Sequence, residues 1–162
     1  LSERHGQRVL VCYASEGGTT QRAAETVGEG LRNKGADVKV MAIEKVGVRE
    51  LAASDSLVVG TWVEGLVVAR VHPARTMQKW ISALPNLGGR RVAVFCTYGV
   101  NPRSSVQELT TMIEEKGGVV LASDAFGPRD QSGTIHPLKT EAFANRVATR
   151  FSVAERSAVG VA

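Results

Sequence analysis

Runs of consecutive apolar residues alternate along this chain with stretches of helical periodicity, and that alternation leaves few folds open. A strand that is apolar on both faces has to be covered on both, which a parallel sheet between two helical layers achieves. The runs are Arg8–Tyr13, Ala36–Ile43, Ser56–Gly60, Arg91–Thr97 and one beginning with Val119–Ala122. Apolar residues recur at helical spacing between and after them, at Ala23, Ala24, Val27 and Leu31, then Met77, Trp80, Ile81 and Leu84, and finally Leu138, Phe143, Val147 and Phe151. Gly35 and the pair Gly117-Gly118 read as helix stops, and Ser105 with Glu108 has the spacing of a capping box. The reading is an α/β protein with a doubly wound, five-stranded sheet. Its one domain spans residues 8–153, after a flexible segment 1–7 and before a frayed tail 154–162. With 162 residues the chain has room for one sizeable core and no second domain.

Ligands of doubly wound sheets bind beyond the carboxyl ends of the strands. Three segments leave those ends: residues 14–19, 97–102 and 61–73, the last read as a loop longer than a connection needs. The first carries Ser15-Glu16-Gly17-Gly18-Thr19-Thr20 between a strand and a helix. Backbone N–H groups at a helix start favour an anion, the glycines permit close approach, and three hydroxyls can donate to phosphate oxygens. No Gly-Lys-Ser/Thr follows and the three-glycine dinucleotide pattern is missing, so a monophosphate fits best. A plain tight turn with a threonine cap is the alternative for this loop by itself.

The flanks add more. Val11-Cys-Tyr-Ala-Ser-Glu-Gly-Gly-Thr-Thr-Gln-Arg-Ala-Ala-Glu-Thr-Val27 closely resembles the first strand, phosphate loop and first helix of flavodoxins. Thr61-Trp62 falls where that family has its second flavin loop, and Thr97–Pro102 where it has the third. The resemblance covers nearly the whole chain in element order. It implies the flavodoxin-like strand order 2-1-3-4-5, non-covalent FMN, and electron transfer between redox proteins. By position it places Ser15, Glu16, Gly17, Gly18, Thr19 and Thr20 at the phosphate. Thr61, Trp62, Val63, Glu64, Thr97, Tyr98, Gly99 and Asn101 fall at the flavin, with Trp62 covering its inner face and Tyr98 the candidate for the other. In such a carrier no residue acts as an acid-base catalyst.

Several departures from the family pattern bear on chemistry. Glu16 and Gly17 stand where the family carries hydroxyls, so weaker FMN binding is expected, with Glu16 facing solvent beside Arg22. Val63 stands where many flavodoxins have a glycine whose peptide turns over on reduction. A β-branched residue disfavours the positive φ that such a turn requires, so the one-electron-reduced flavin should be poorly stabilised. The chain carries 20 Lys and Arg against 16 Asp and Glu, a net charge of +4. That is too little to argue for nucleic acid. As a set, however, Arg70, His72, Arg75, Arg103 and Arg129 lie in or beside the carboxyl-end loops, partly offset by Glu64, Asp124 and Asp130. They suggest an acidic redox partner or an anionic substrate, although each alone reads as a solvated surface charge.

Cys12 and Cys96 sit in apolar runs and read as structural thiols, and His5, His72 and His136 have no metal-binding spacing. No apolar run reaches the roughly 18 residues of a membrane span, and the N-terminal residues lack a signal peptide's progression, so a cytoplasmic protein is expected. Two other readings stay open. One is a small FMN-dependent oxidoreductase, similar to flavodoxin-like quinone reductases or menaquinone-dependent protoporphyrinogen oxidases. The other is a flavin-free module that binds a protein.

Overall fold

A computed structural model describes residues 6–66, 69–128, 131 and 134–159. Strands β1 (Arg8–Ala14), β2 (Asp37–Ala42), β3 (Ser56–Leu66), β5 (Arg91–Thr97) and β6 (Val119–Phe126) form one parallel sheet in the order β2-β1-β3-β5-β6. Strand β4 (Ala69–Pro73) lies off this path, paired with β3, and without it the order is the 2-1-3-4-5 implied by the resemblance.

Alternation along the central strands feeds two cores, one under each helical layer. Val9 and Val11 of β1 pack with α1 (Thr19–Asn33) and α5 (Pro137–Val159). Leu10 and Cys12 face the other way, into a core that includes Met77 and Ile81 of α3 (Arg75–Ser82) and Leu109 and Ile113 of α4 (Ser105–Glu115). The first core holds a tight aromatic cluster: Phe126 and Phe143 pack at 5.2 and 5.9 Å from Phe95 and 5.4 Å from each other. The two-sided burial explains why the strands carry almost no polar alternation. Trp80 is half-buried against the second core, in keeping with its place on the apolar stripe of α3.

Residues 61–73 depart from the expected loop. β3 runs on to Leu66, past the end of the parallel sheet, and β4 (Ala69–Pro73) returns antiparallel along it. The apolar run Ser56–Gly60 was legible because it is buried; the extension carries mixed residues and is held by pairing with its own return strand.

Smaller differences follow local chemistry. A 3-10 turn (Ile43–Lys45) and a short helix α2 (Val48–Ala53) join β2 to β3, where the sequence suggested nothing regular. The capping box expected at Ser105 does not form. Ser104 is the cap, its hydroxyl donates to Glu108 Oε1 at 2.9 Å, and Ser105 is the first helical residue. Helix α5 continues to Val159, so Ala154–Val159 are helical where fraying was expected, while residues 1–5 and 160–162 lie outside the described residues. No helix among the described residues is long and apolar enough to cross a membrane.

Candidate functional site

The carboxyl ends of β1, β3 and β5 converge on a cavity of about 460 Å³. Each end supplies one wall. From the segment after β1 come Ser15, Glu16, Gly17, Thr19 and Thr20; from β3 come Trp62, Val63, Glu64 and Gly65; from the end of β5 come Thr97, Tyr98 and Gly99.

The first wall is shaped by the start of α1. Gly18 caps the helix at φ +90°, a conformation that a Cβ would strain, and its N–H donates to Ser15 Oγ at 3.1 Å. That turn presents the first residues of α1, Thr19 and Thr20, to the cavity, where the leading N–H groups of a helix have no intrahelical acceptor. Thr20 is buried, and its Oγ1 lies 2.7 Å from Thr97 Oγ1. Glu16 is exposed at the rim, as expected. The Arg22 side chain folds back over Gly18, its Nη1 3.1 Å from where a Cβ would sit.

The second wall is the extended β3. The half-buried Trp62 packs on the core beneath while lining the cavity above. Its carbonyl accepts two hydrogen bonds, from Ala74 N–H at 3.0 Å and Thr61 Oγ1 at 2.9 Å, and Val63 is paired with Pro73 across the hairpin. The Trp62–Val63 peptide therefore lies in a sheet and not in the open turn anticipated from the family pattern. Gly65 ends this wall as a bulge at φ +123°.

The third wall is fixed from β6. Tyr98 N–H donates to the Phe126 carbonyl at 3.1 Å, and the half-buried Tyr98 ring packs on Gly127.

Most of the residues singled out from the sequence are thus brought together, and three are not in the wall. Gly18 acts through the turn, Thr61 is fully buried behind Trp62, and Asn101 is exposed, its Oδ1 accepting the Arg103 N–H at 2.8 Å. Gly65 lines the cavity and was missed. A glycine among strand-forming residues, a known mark of a bulge, was the signal that could have found it.

The basic residues divide. Arg70 and Arg75 are exposed on the hairpin and at the start of α3, Arg103 is exposed ahead of α4, and His72 is half-buried opposite Glu64. Asp124, expected to offset them, is instead paired with Arg146 of α5, so it belongs to the α5 face of β6 and not to the rim. Arg129 and Asp130 lie outside the described residues, as does His5. Cys12 and Cys96 are both buried with free thiols. Burial pushes both thiols up, that of Cys96 to about 12 with a further contribution from Glu108.

A helix N-terminus and two aromatic side chains lining one cavity invite comparison with known proteins. The sequence profile described as flavodoxin matches residues 11–136. A flavodoxin of Clostridium saccharobutylicum is 29% identical over 137 residues, covering 80% of this chain and 82% of that protein. The solution structure of two-electron reduced Megasphaera elsdenii flavodoxin matches with a TM-score of 0.73 at 20% identity, covering 87% of this chain and 98% of that one. Rubredoxin oxygen:oxidoreductase from Desulfovibrio gigas matches with a TM-score of 0.71 at 14% identity, covering 92% of this chain but 37% of the larger protein. These structural likenesses show the fold; the profile, spanning most of the chain, shows the family. The chain belongs to the flavodoxins, FMN-binding proteins that transfer electrons to redox partners.

Proposed function

We infer that the 460 Å³ cavity is where FMN binds, and that this protein is a cytoplasmic electron carrier whose basic rim docks an acidic redox protein. The observation that carries the reading is the convergence of a helix N-terminus with three hydroxyl residues and two aromatic rings on one cavity of cofactor size. In this reading Ser15, Thr19 and Thr20, with the backbone of Glu16, Gly17 and Gly18, hold the phosphate. Trp62 and Tyr98 flank the flat, apolar ring system. Val63, Glu64, Thr97 and Gly99 close the remaining walls, Thr61 supports Trp62 from behind through its hydrogen bond to the Trp62 carbonyl, and Asn101 shapes the turn after β5 by accepting the Arg103 N–H.

When bound, FMN supplies reversible electron uptake and release; the protein's residues bind it, orient it and set the field around it. Arg70 and Arg75 project into solvent from the hairpin and the adjoining helix start. Exposed charges of one sign steer an oppositely charged partner and lose their effect as salt rises. They also favour an anionic reduced flavin over the neutral oxidised one. The two buried, protonated thiols suit a reducing compartment.

The test is a titration of apoprotein with FMN, riboflavin and FAD, followed by flavin fluorescence and tryptophan emission. Saturable binding of FMN, tighter than riboflavin and lost on Trp62→Ala, is expected. Equal affinity for FMN and riboflavin would refute the phosphate assignment, and no binding would refute the site. For the partner, Arg70→Glu with Arg75→Glu should slow reduction by an acidic redox protein at low salt and leave the rate at high salt unchanged; a rate insensitive to both would refute the docking face.

A further inference from the structure

We propose that Thr97 is a positioning residue for the cofactor's phosphate group and acts through Thr20. The inference rests on the FMN site proposed above. The two hydroxyl oxygens are 2.7 Å apart, and their residues are 1% and 3% exposed. Neither hydroxyl makes another hydrogen bond among the described residues.

A threonine hydroxyl has one hydrogen to donate and can accept two. In a pair of hydroxyls one hydrogen is used between them, so one is left to point elsewhere. Both residues line the cavity, so the remaining donor is available to whatever occupies it.

The position of Thr20 decides which hydroxyl keeps that donor. Thr20 is the second residue of α1, at the positive end of the helix, where an anion is favoured. An anion there draws the hydrogen of Thr20 towards itself, because a hydrogen bond to a charged acceptor is about twice as strong as a neutral one. Thr97 must then be the donor to Thr20 Oγ1. This direction polarises Thr20 as a donor to the anion, and the bridge itself, whichever hydroxyl donates, holds the Thr20 side chain in place before the ligand arrives. Thr97 is the final residue of β5, paired in register with Trp62, while Ala14 at the end of β1 is in register with Thr61. The bridge consequently crosses the carboxyl end of β3 and ties the phosphate loop to the strand that leads into Tyr98.

The experiment compares FMN with riboflavin, which lacks the phosphate, on the wild type, Thr97→Val, Thr97→Ser, Thr20→Val and the Thr20→Val/Thr97→Val double variant. Urea denaturation confirms that each variant folds, and the phosphorus NMR resonance of bound FMN gives a second readout. Thr97→Val should weaken FMN binding by about 3- to 10-fold, the scale of one neutral hydrogen bond, with riboflavin affinity unchanged. Thr97→Ser should restore both the affinity and the phosphorus resonance. Thr20→Val should weaken FMN binding further, and the double variant should be no worse than Thr20→Val.

Equal loss for FMN and riboflavin in Thr97→Val would overturn the proposal, since Thr97 would then shape the cavity in general. Additive losses in the double variant would also overturn it, because Thr97 would be acting independently of Thr20. An unchanged phosphorus resonance in Thr97→Val would do the same. A wild type that binds neither flavin would instead overturn the FMN-site reading on which the proposal rests.

Discussion

Gly65 is the residue through which the hairpin can be broken most cleanly. It sits between the cross-strand pairs Glu64–His72 and Leu66–Ala69, where the register shifts, at φ +123°. A Cβ on it would lie 2.1 Å from the Arg70 carbonyl oxygen and 2.9 Å from Val71 Cα, both backbone atoms that no side-chain rotation can move aside. Ordinary carbon–oxygen contacts are about 3.3 Å, so in Gly65→Ala strand β4 must withdraw by about 1 Å. A non-glycine residue in that backbone region adds about 1–3 kcal/mol of strain, and each weakened hairpin hydrogen bond about 1 kcal/mol. Together these give a loss of about 2–4 kcal/mol, which lowers the urea midpoint by about 1–2 M.

The chain can evade that cost only by opening the hairpin, and opening displaces the wall formed by Trp62, Val63 and Glu64. Either way the Gly65→Ala variant should bind FMN at least about 10-fold more weakly, a change of about 1.4 kcal/mol. The assay pairs urea denaturation of the apoprotein with an FMN titration. Gly17→Ala is the stability control: a Cβ there meets nothing within 4 Å, so its midpoint should match wild type. A Gly65→Ala protein with wild-type midpoint and affinity would refute the claim that the bulge holds the cavity wall.

Three further outcomes follow from the structure. Burial raises the pKa of Asp55, but hydrogen bonds from the Arg8 N–H and guanidinium more than reverse this, leaving it below its usual 3.8. Its stabilisation is therefore present above about pH 4 and is lost as pH falls below that; Asp55→Asn should flatten this acid slope and cost under about 1 kcal/mol at neutral pH, because the pair is exposed. Cys12 and Cys96, held protonated by burial, should resist a thiol reagent in the native protein and react only on unfolding, and rapid native labelling would contradict the placement of both thiols. A reductive titration of the FMN-loaded protein should show no long-lived blue species; a large one would mean that the Trp62–Val63 peptide is free to turn.

What the sequence disclosed was what burial writes into it. Val9–Cys12, Leu57–Val59 and Val92–Cys96 are covered on both faces, so their composition alone marks them as central parallel strands. The turn after β1 was equally legible, because a strand that passes straight into a helix through a positive φ calls for glycine, and Gly18 takes that place at φ +90° with its N–H donating to Ser15 Oγ. The hairpin was hidden because its pairing is local and antiparallel: Glu64 faces His72 and Val63 faces Pro73, and neither pair leaves a periodic apolar trace. The capping residue of α4 was misplaced by one position for a related reason. Ser104 and Ser105 are chemically alike, and only the burial of Ser105 decides which of them stands outside the helix.

The hairpin also changes why Val63 matters. Read from sequence, the objection to a peptide that turns over was steric, a β-branched side chain in a position calling for positive φ. In the fold the restraint is hydrogen bonding, since turning the Trp62 carbonyl away would leave both the Ala74 N–H and the Thr61 hydroxyl without their acceptor. Both donors belong to buried residues, and an unsatisfied buried donor costs about 1–3 kcal/mol. Replacing Val63 by glycine would remove the steric objection and leave the hydrogen-bonding one in place. Val63→Gly alone should therefore fail to produce the long-lived blue species, whereas Val63→Gly combined with Thr61→Ala removes one of the two anchors and should move the titration towards it. A blue species from Val63→Gly alone would show that the side chain, and not the hairpin, was the restraint.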